Sequence, residues 1–261
     1  MKTRLLVVLL LLGFGALRMP FEERLTQEHR AAYFRTSKLN LDLRQRLGQL
    51  GFLAALSGFR ALVADFVWIQ AHTAWERTEW GRMALLLDTV TSLQPRALLF
   101  WDVGSWHMAW NASVAALNDR TQPREALGIR AQREYFKLGE DMLLRGISNN
   151  PDRPLLYDRL GMLYNDKFKD HCRAYEAYEK AAQFADAPAY VRRFAAYELS
   201  RCPGNEREAY EKLKALYLEG EQERTETLRE RLQSMQEKLD IPAAERVYNP
   251  PPQQPEAKPG P

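Results

Sequence analysis

The stretch that most restricts what this chain can become is PLLYDRLGMLYNDKFKDHCRAYEAYEKAA, residues 154–182. Tyr157, Leu160, Gly161 and Tyr164 recur at i, i+3, i+4 and i+7, the apolar stripe of an α-helix. Ala174, Tyr178 and Ala181 form a second such face beyond a turn over 166–171. Gly161 is the informative member, because a glycine inside a helix costs about 1 kcal/mol against alanine. Close approach of a neighbouring helix offsets that cost. The spacing therefore predicts two short amphipathic helices folded back on each other, with small residues at the crossing and one aromatic between them.

The pattern recurs. About 34 residues beyond Pro154 stands Pro188, followed by Val191, Phe194 and Ala195 and then by Ala209, Leu213 and Leu216. In the other direction Pro151 and Pro95 close two earlier units. One places Phe100, Val103, Gly104 and His107 in the first-helix register; the other offers Val67, Ala71 and Ala74, then Met83, Leu87 and Val90. An aromatic, Leu-Gly, a Tyr, then Ala, an aromatic and Ala along a helix pair, with Pro at its end, resembles a tetratricopeptide (TPR) repeat. The stretch SGFRALVADFVWIQA also resembles part of a group of bacterial membrane-associated TPR proteins and implies no activity. The fold class implied is all-α, a TPR-like solenoid of helical hairpins in about four degenerate units, preceded by an N-terminal hydrophobic segment.

Composition agrees with that class. With 46% hydrophobic residues in 261 the chain can bury a sizeable core, and no sustained strand alternation interrupts the helical periodicity. A net charge of +3 is too small to point to nucleic acid. Basic and acidic residues are interspersed, as in RTETLRERLQSMQEKL, the way solvated helix faces are.

Along the chain, residues 1–20 read as a signal peptide or membrane anchor, with Lys2 and Arg4 ahead of an unbroken apolar run over 5–17. The run is shorter than the roughly 20 residues of a comfortable span; Gly13 and Gly15 can precede a cleavage site, while Arg18 can snorkel if the segment is retained. Either way the remainder is exported, anchored to the inner membrane or periplasmic, with Lys2 and Arg4 in the cytoplasm. Residues 21–57 form an N-terminal helical stalk or cap with a stripe at Leu39, Leu43, Leu47 and Leu50, interrupted by Gly48 and Gly51. The repeat array covers 58–220; in its second unit His107 holds the place of the first-helix tyrosine and Gly139 that of the second-helix alanine, so helices longer than standard, joined by a loop around 118–128, are expected there. A polar capping helix lies within 221–248, over 221–239, and residues 249–261 are a Pro-rich tail that cannot pack.

All six tryptophans fall between positions 68 and 110. In a TPR-like array the first helices line the concave groove. Projecting the register outward selects Trp68, His72 and Trp75, then Trp101, Ser105 and Met108, then Leu155, Asp158 and Met162. The expected partner-binding residues are Trp68, His72, Trp75, Trp101, Met108 and Met162, a surface suited to an apolar or amphipathic peptide. Trp80, Trp106 and Trp110 fall off that register and are expected in the core. The alternative is that large aromatics at helical spacing simply fill the interior. The TPR mode that grips a terminal carboxylate uses Lys and Asn at positions held here by Trp68 and His72, Trp101 and Ser105, Asp158 and Met162, Arg192 and Ala196. That clamp is absent.

Little points to chemistry. His72 with Glu76, and Asp102 with His107, are the pairs from which a metal site would start, but the paired Glu-x-x-His motifs of di-iron bundles are missing. There is no phosphate loop, nucleophile elbow or C-x-x-C. Asn111-Ala112-Ser113 matches a glycosylation sequon inside an expected helix. No catalytic residue, metal or cofactor is assigned. The repeat register puts Cys172 at the start of one second helix and Cys202 in the turn before the next, at the same corner of adjacent units. Helices pack about 8–10 Å apart and a disulfide needs Cα atoms within about 7 Å, so the turn RCPGNE must lean toward its neighbour for the two to bond. The alternative is two unrelated thiols. The expected function is a non-enzymatic scaffold that binds a protein or peptide at the bacterial envelope, or else a permanent structural subunit of an envelope secretion or pilus-like assembly.

Overall fold

A computed structural model describes residues 58–119 and 124–249, and among these every regular element is helical. The signal or anchor segment 1–20, the stalk 21–57 and the tail from 250 onward lie outside the described residues. The chain divides after Pro151 into two compact units, a boundary that falls inside the span read as a single array.

In the first unit, α1 (Arg60–Glu76) buries Ala64, Val67, Ala71 and Ala74, small residues that let α2 (Trp80–Leu93) come close with Met83, Leu86, Leu87 and Val90. Between them the chain reverses at Thr78, whose φ is 56°. The Thr78 amide donates to the Trp75 carbonyl at 2.9 Å and the Glu79 amide to the Ala74 carbonyl at 2.8 Å. These bonds satisfy carbonyls that the helix end leaves open, as in a Schellman closure. A rod follows, made of α3 (Leu98–Trp106), a π-helical segment (His107–Ala112) and α4 (Ser113–Leu117). It packs against the long α5 (Glu125–Asn149). The crossing is made by small groups: a Cβ built on Gly139 would meet the Ala109 Cβ at 2.7 Å, and one on Gly104 would collide with the Met142 side chain. Arg145 on α5 pairs with Asp88 of α2 at 2.7 Å and with Asp141 at 3.3 Å. Buried Asn150 donates to the Pro95 carbonyl at 3.0 Å, tying the end of α5 to the α2–α3 turn. The helices of this hairpin are long, as the sequence requires, but the loop is shorter than expected: α5 already includes residues 125–128, and Gly128 is buried where an added Cβ would lie 3.3 Å from the Leu117 carbonyl oxygen.

The second unit opens with α6 (Pro154–Leu163), Pro154 standing at the helix start where its missing amide costs nothing. A π-helical segment (Tyr164–Phe168) and Lys169 in the left-handed region lead to α7 (His171–Ala182). Asp170 caps α7, its carboxylate accepting from the Arg173 amide at 3.0 Å. Then come α8 (Tyr190–Leu199), α9 (Glu206–Glu219) and α10 (Glu226–Lys238), each packed chiefly on its neighbour in sequence. Tyr178, Ala174 and Ala181 are buried on α7, and Leu160, Gly161 and Tyr164 on α6 and the segment after it; Tyr157 is half-buried beside Phe184.

The α6–α7 crossing sits at Gly161. A Cβ there would lie 2.7 Å from the Tyr178 ring. Gly161→Ala gains about 1 kcal/mol of helix propensity but forces a shift that costs about 1–3 kcal/mol. The expected result is a net loss of up to about 2 kcal/mol in the unfolding of this unit followed by circular dichroism. A stabilised variant would show that the ring yields freely.

Cys172 and Cys202 are joined in a disulfide with Cα atoms 4.9 Å apart. It links the first turn of α7 to the turn after α8, where Gly204 takes a φ of 84°. The capping helix is shorter than the sequence suggested, because 221–225 form a turn after Gly220 and α10 begins only where Thr225 accepts from the Leu228 amide at 3.3 Å. Fully buried Gln236 donates to the Tyr248 carbonyl at 2.7 Å and accepts from the amides of Val247 and Tyr248 at 3.0 and 3.2 Å. It thereby folds the last described residues back over α10.

Candidate interaction surface

The aromatic cluster of the first unit is built by α1 and the α3–α4 rod. Trp68 is half-buried with its ring 5.1 Å from Phe100. One helical turn pair further, Trp75 lies between His72 at 5.1 Å and His107 at 5.4 Å. His72 is exposed and approaches Glu76 at 3.5 Å. His107 Nδ1 is 2.9 Å from the Asn111 side-chain nitrogen, so the amide donates and the neutral ring carries its proton on Nε2. Burial, and then the proximity of His72, lowers the pKa of His107. Three of the expected groove residues, Trp68, His72 and Trp75, thus meet on one face.

Two others do not join them. Trp101 is 2% exposed and Met108 fully buried, so both belong to the core and not to a groove. Trp101 donates from Nε1 to the Pro95 carbonyl at 2.9 Å, and the Arg145 guanidinium lies 5.4 Å from its ring centroid. Ser105, from the same projected face, is buried as well. The rod is rotated relative to the expected register because its smallest residues, Gly104, Ser105, Ala109 and Ala112, turn toward α5, and Trp101 and Met108 share that side. Two of the three tryptophans expected in the core turn outward instead: Trp106 is 43% exposed, and half-buried Trp110 stacks on it at 4.6 Å with rings 8° from parallel, while Trp80 is half-buried at the start of α2.

What the rod presents outward is a stripe of Leu99, Val103, Trp106, Trp110, Val114 and Leu117. Leu99, Trp106, Val114 and Leu117 are exposed, and Val103 and Trp110 half-buried. Their spacing of four, three, four, four and three follows one face of a helix over roughly 27 Å of axis. The stripe is visible in the sequence, yet α3 is apolar on nearly every side (LLFWDVGSW), so periodicity alone cannot choose the outward face.

In the second unit Met162 is half-buried on α6. Asp158, projected into the same groove, is instead buried: its Oδ2 accepts from the Tyr190 hydroxyl at 2.8 Å and pairs with Arg159 at 3.2 Å. Ala196 is buried too, while Arg192 is exposed and forks onto Glu219 at 2.6 and 3.1 Å. A second buried carboxylate, Glu198, receives His171 Nδ1 at 2.7 Å. Burial, with Asp158 and Glu198 nearby, pushes the Tyr178 phenol far up, so it stays protonated. These groups bond to one another and hold α6, α7 and α8 together. No group of three or more His, Cys, Asp or Glu side chains suited to a metal ion forms among the described residues. No helix among them is long and apolar enough to cross a membrane.

His107 makes the first unit sensitive to pH. Its folded pKa lies below its unfolded value of about 6.5, so the unfolded chain binds more protons as pH falls through that window. The stability that neutral His107 contributes is present above about pH 6.5 and is lost toward its lowered folded pKa. The thermal midpoint of the wild type should therefore fall more between pH 7 and 5 than that of His107→Gln. Parallel profiles would remove His107 as the cause.

Compared with protein-family models, with characterised proteins and with solved structures, the chain matches none.

Proposed function

We propose that the protein is a non-enzymatic helical scaffold of TPR-like type that binds an amphipathic helical segment of a partner protein along the outward stripe of the α3–α4 rod. The observation that carries this reading is the continuous apolar face from Leu99 to Leu117, with the stacked Trp106–Trp110 pair at its middle. Exposed contiguous apolar surface marks interaction sites, and a helix laid in a groove offers anchors at i, i+3, i+4 and i+7 that match such a stripe. Trp68, His72, Trp75 and His107 extend the aromatic surface at its side. The repeat reading is supported by helices that pack neighbour on neighbour and by the Gly161–Tyr178 crossing.

The location proposed is the bacterial envelope, after export and either anchored by the N-terminal segment or free in the periplasm. The Cys172–Cys202 bond, which uses both cysteines of the chain, supports it, since such bonds persist in oxidising compartments.

The test is a photo-crosslinking residue at Val114, used in envelopes and followed by capture and identification of the linked protein. Trp106→Ala should lower capture by roughly 30-fold or more, the effect of losing a tryptophan hot spot, and should leave stability within about 0.5 kcal/mol. Unchanged capture in a folded Trp106→Ala protein would refute this face. Purified alone, a reversible scaffold stays monodisperse; a chain that aggregates unless its neighbour is present is instead a permanent structural subunit of an envelope assembly.

A further inference from the structure

The charges around the rod stripe are of one sign. Over the whole chain basic residues outnumber acidic ones, 37 Lys and Arg against 34 Asp and Glu. The two elements that build the aromatic surface depart from that balance. From Leu98 to Leu117 the rod contains no Lys or Arg, and its single carboxylate is Asp102. Along α1 the acidic residues are Asp65 and Glu76, and the single Lys or Arg, Arg60, turns to the α2 side, where its guanidinium donates to the Ser92 carbonyl at 3.1 Å. Arg77 and Arg96 stand outside both helices, just past the end of α1 and before the start of the rod. The cations of α5 belong to the helix that packs behind the rod, on the side of Gly104 and Ala109.

The packing of α1 on the rod places these carboxylates. Trp68 meets Phe100 at 5.1 Å and Trp75 meets His107 at 5.4 Å. The two pairs advance equally along both helices, so α1 and the rod run parallel and in register. On α1, Asp65, His72 and Glu76 follow at i, i+7 and i+11, an exposed row one step around the helix from Trp68 and Trp75. The shared register sets Asp65 near the level of Leu99, and Glu76, 3.5 Å from His72, near that of the Trp106–Trp110 pair. Half-buried Asp102 stands on the other flank of the stripe from His107, one turn before Trp106. The apolar stripe therefore runs between carboxylates. Such a border repels an acidic partner, whereas Lys and Arg lay their aliphatic stems over apolar surface and carry their charged heads to the rim. The face of Trp106 turned away from Trp110 also offers a ring over which a cation can sit. An anionic lipid surface is repelled on the same ground.

Resting on the reading of the stripe as a docking face, we propose that its partner is a basic amphipathic helix. Its apolar residues seat on the stripe from Leu99 to Leu117, and the Lys or Arg side chains bordering them pair with Asp65, Glu76 and Asp102. The apolar contact supplies the affinity; the carboxylates decide which helices are accepted and hasten their encounter.

The experiment uses the full chain with its native disulfide and two synthetic helical peptides that share one leucine face and lack Trp. One peptide carries Lys along the borders of that face, the other Glu. Binding is read from tryptophan emission, which arises only between positions 68 and 110, and from the anisotropy of a label on the peptide. The Lys peptide should bind about tenfold more tightly than the Glu peptide, since several exposed pairs add while the repulsion of Glu works in the same direction, and added salt should narrow the difference. Asp65→Asn with Glu76→Gln, at two exposed side chains, should weaken the Lys peptide by about threefold to tenfold and strengthen the Glu peptide. Adding Asp102→Asn should extend both changes. Trp106→Ala should weaken both peptides. Equal affinities for the two peptides, with Trp106→Ala weakening both, would keep the docking face and overturn its preference for basic partners. Affinities that Trp106→Ala does not change would overturn the docking face itself, and the basic partner with it. Self-association of the chain that Trp106→Ala abolishes would assign the stripe to a second copy, and capture of anionic vesicles that Trp106→Ala abolishes would assign it to a lipid surface. Either result also overturns the proposal.

Discussion

Trp101→Ala is expected to destabilise the first unit by about 3–5 kcal/mol, the range for emptying a fully buried large aromatic site. At 2% exposure the indole has no water to lose, and its removal leaves a cavity beneath Arg145. The Pro95 carbonyl keeps the Asn150 donor at 3.0 Å, so the loss is mainly of packing and not of a last hydrogen bond. Urea unfolding followed by tryptophan fluorescence isolates the effect, because all six tryptophans lie between positions 68 and 110. Trp106→Ala, 43% exposed on the same rod, serves as the control and should barely move the midpoint. Similar midpoint shifts for the two variants would mean that the rod is rotated relative to the orientation described here, with the groove back on the Trp101 side.

Opening the Cys172–Cys202 bond is expected to cost about 3–4 kcal/mol in the second unit, from the chain-entropy estimate for a sequence separation of 30 residues. The Cys172→Ser, Cys202→Ser protein separates this loss from reagent effects. The His171–Glu198 contact at 2.7 Å joins the same two elements and survives the substitution, so α7 and α8 stay in register while the unfolded chain regains its freedom. Circular dichroism should show the loss, whereas tryptophan fluorescence, which reports only the first unit, should not. Equal stability of the oxidised and reduced protein would show that the α7–α8 pairing already restricts the unfolded ensemble.

The sequence by itself determined the class, the helix pairs and their contact points. Gly161 forecast a close crossing, and Tyr178 is the residue that fills it; these are local statements, carried by spacing along one helix and by the cost of an unbranched glycine. For Cys172 and Cys202 the spacing left a bond and two separate thiols both open, and the fold joins them with Cα atoms 4.9 Å apart. The length of the α3–α4 rod and of α5 was also legible, because the register of His107 and Gly139 admits no shorter hairpin. Tertiary structure alone decided the orientation of the rod. LLFWDVGSWHMAW is apolar around most of its circumference, so hydrophobic periodicity has no preferred face there. The choice falls to volume: Gly104, Ser105 and Ala109 are the residues that α5 can approach at Gly139, and that approach carries Trp101 and Met108 inward and Trp106 and Trp110 outward. The same holds for Asp158, whose burial depends on Tyr190 and Arg159 meeting it, partners that no periodicity along α6 reveals.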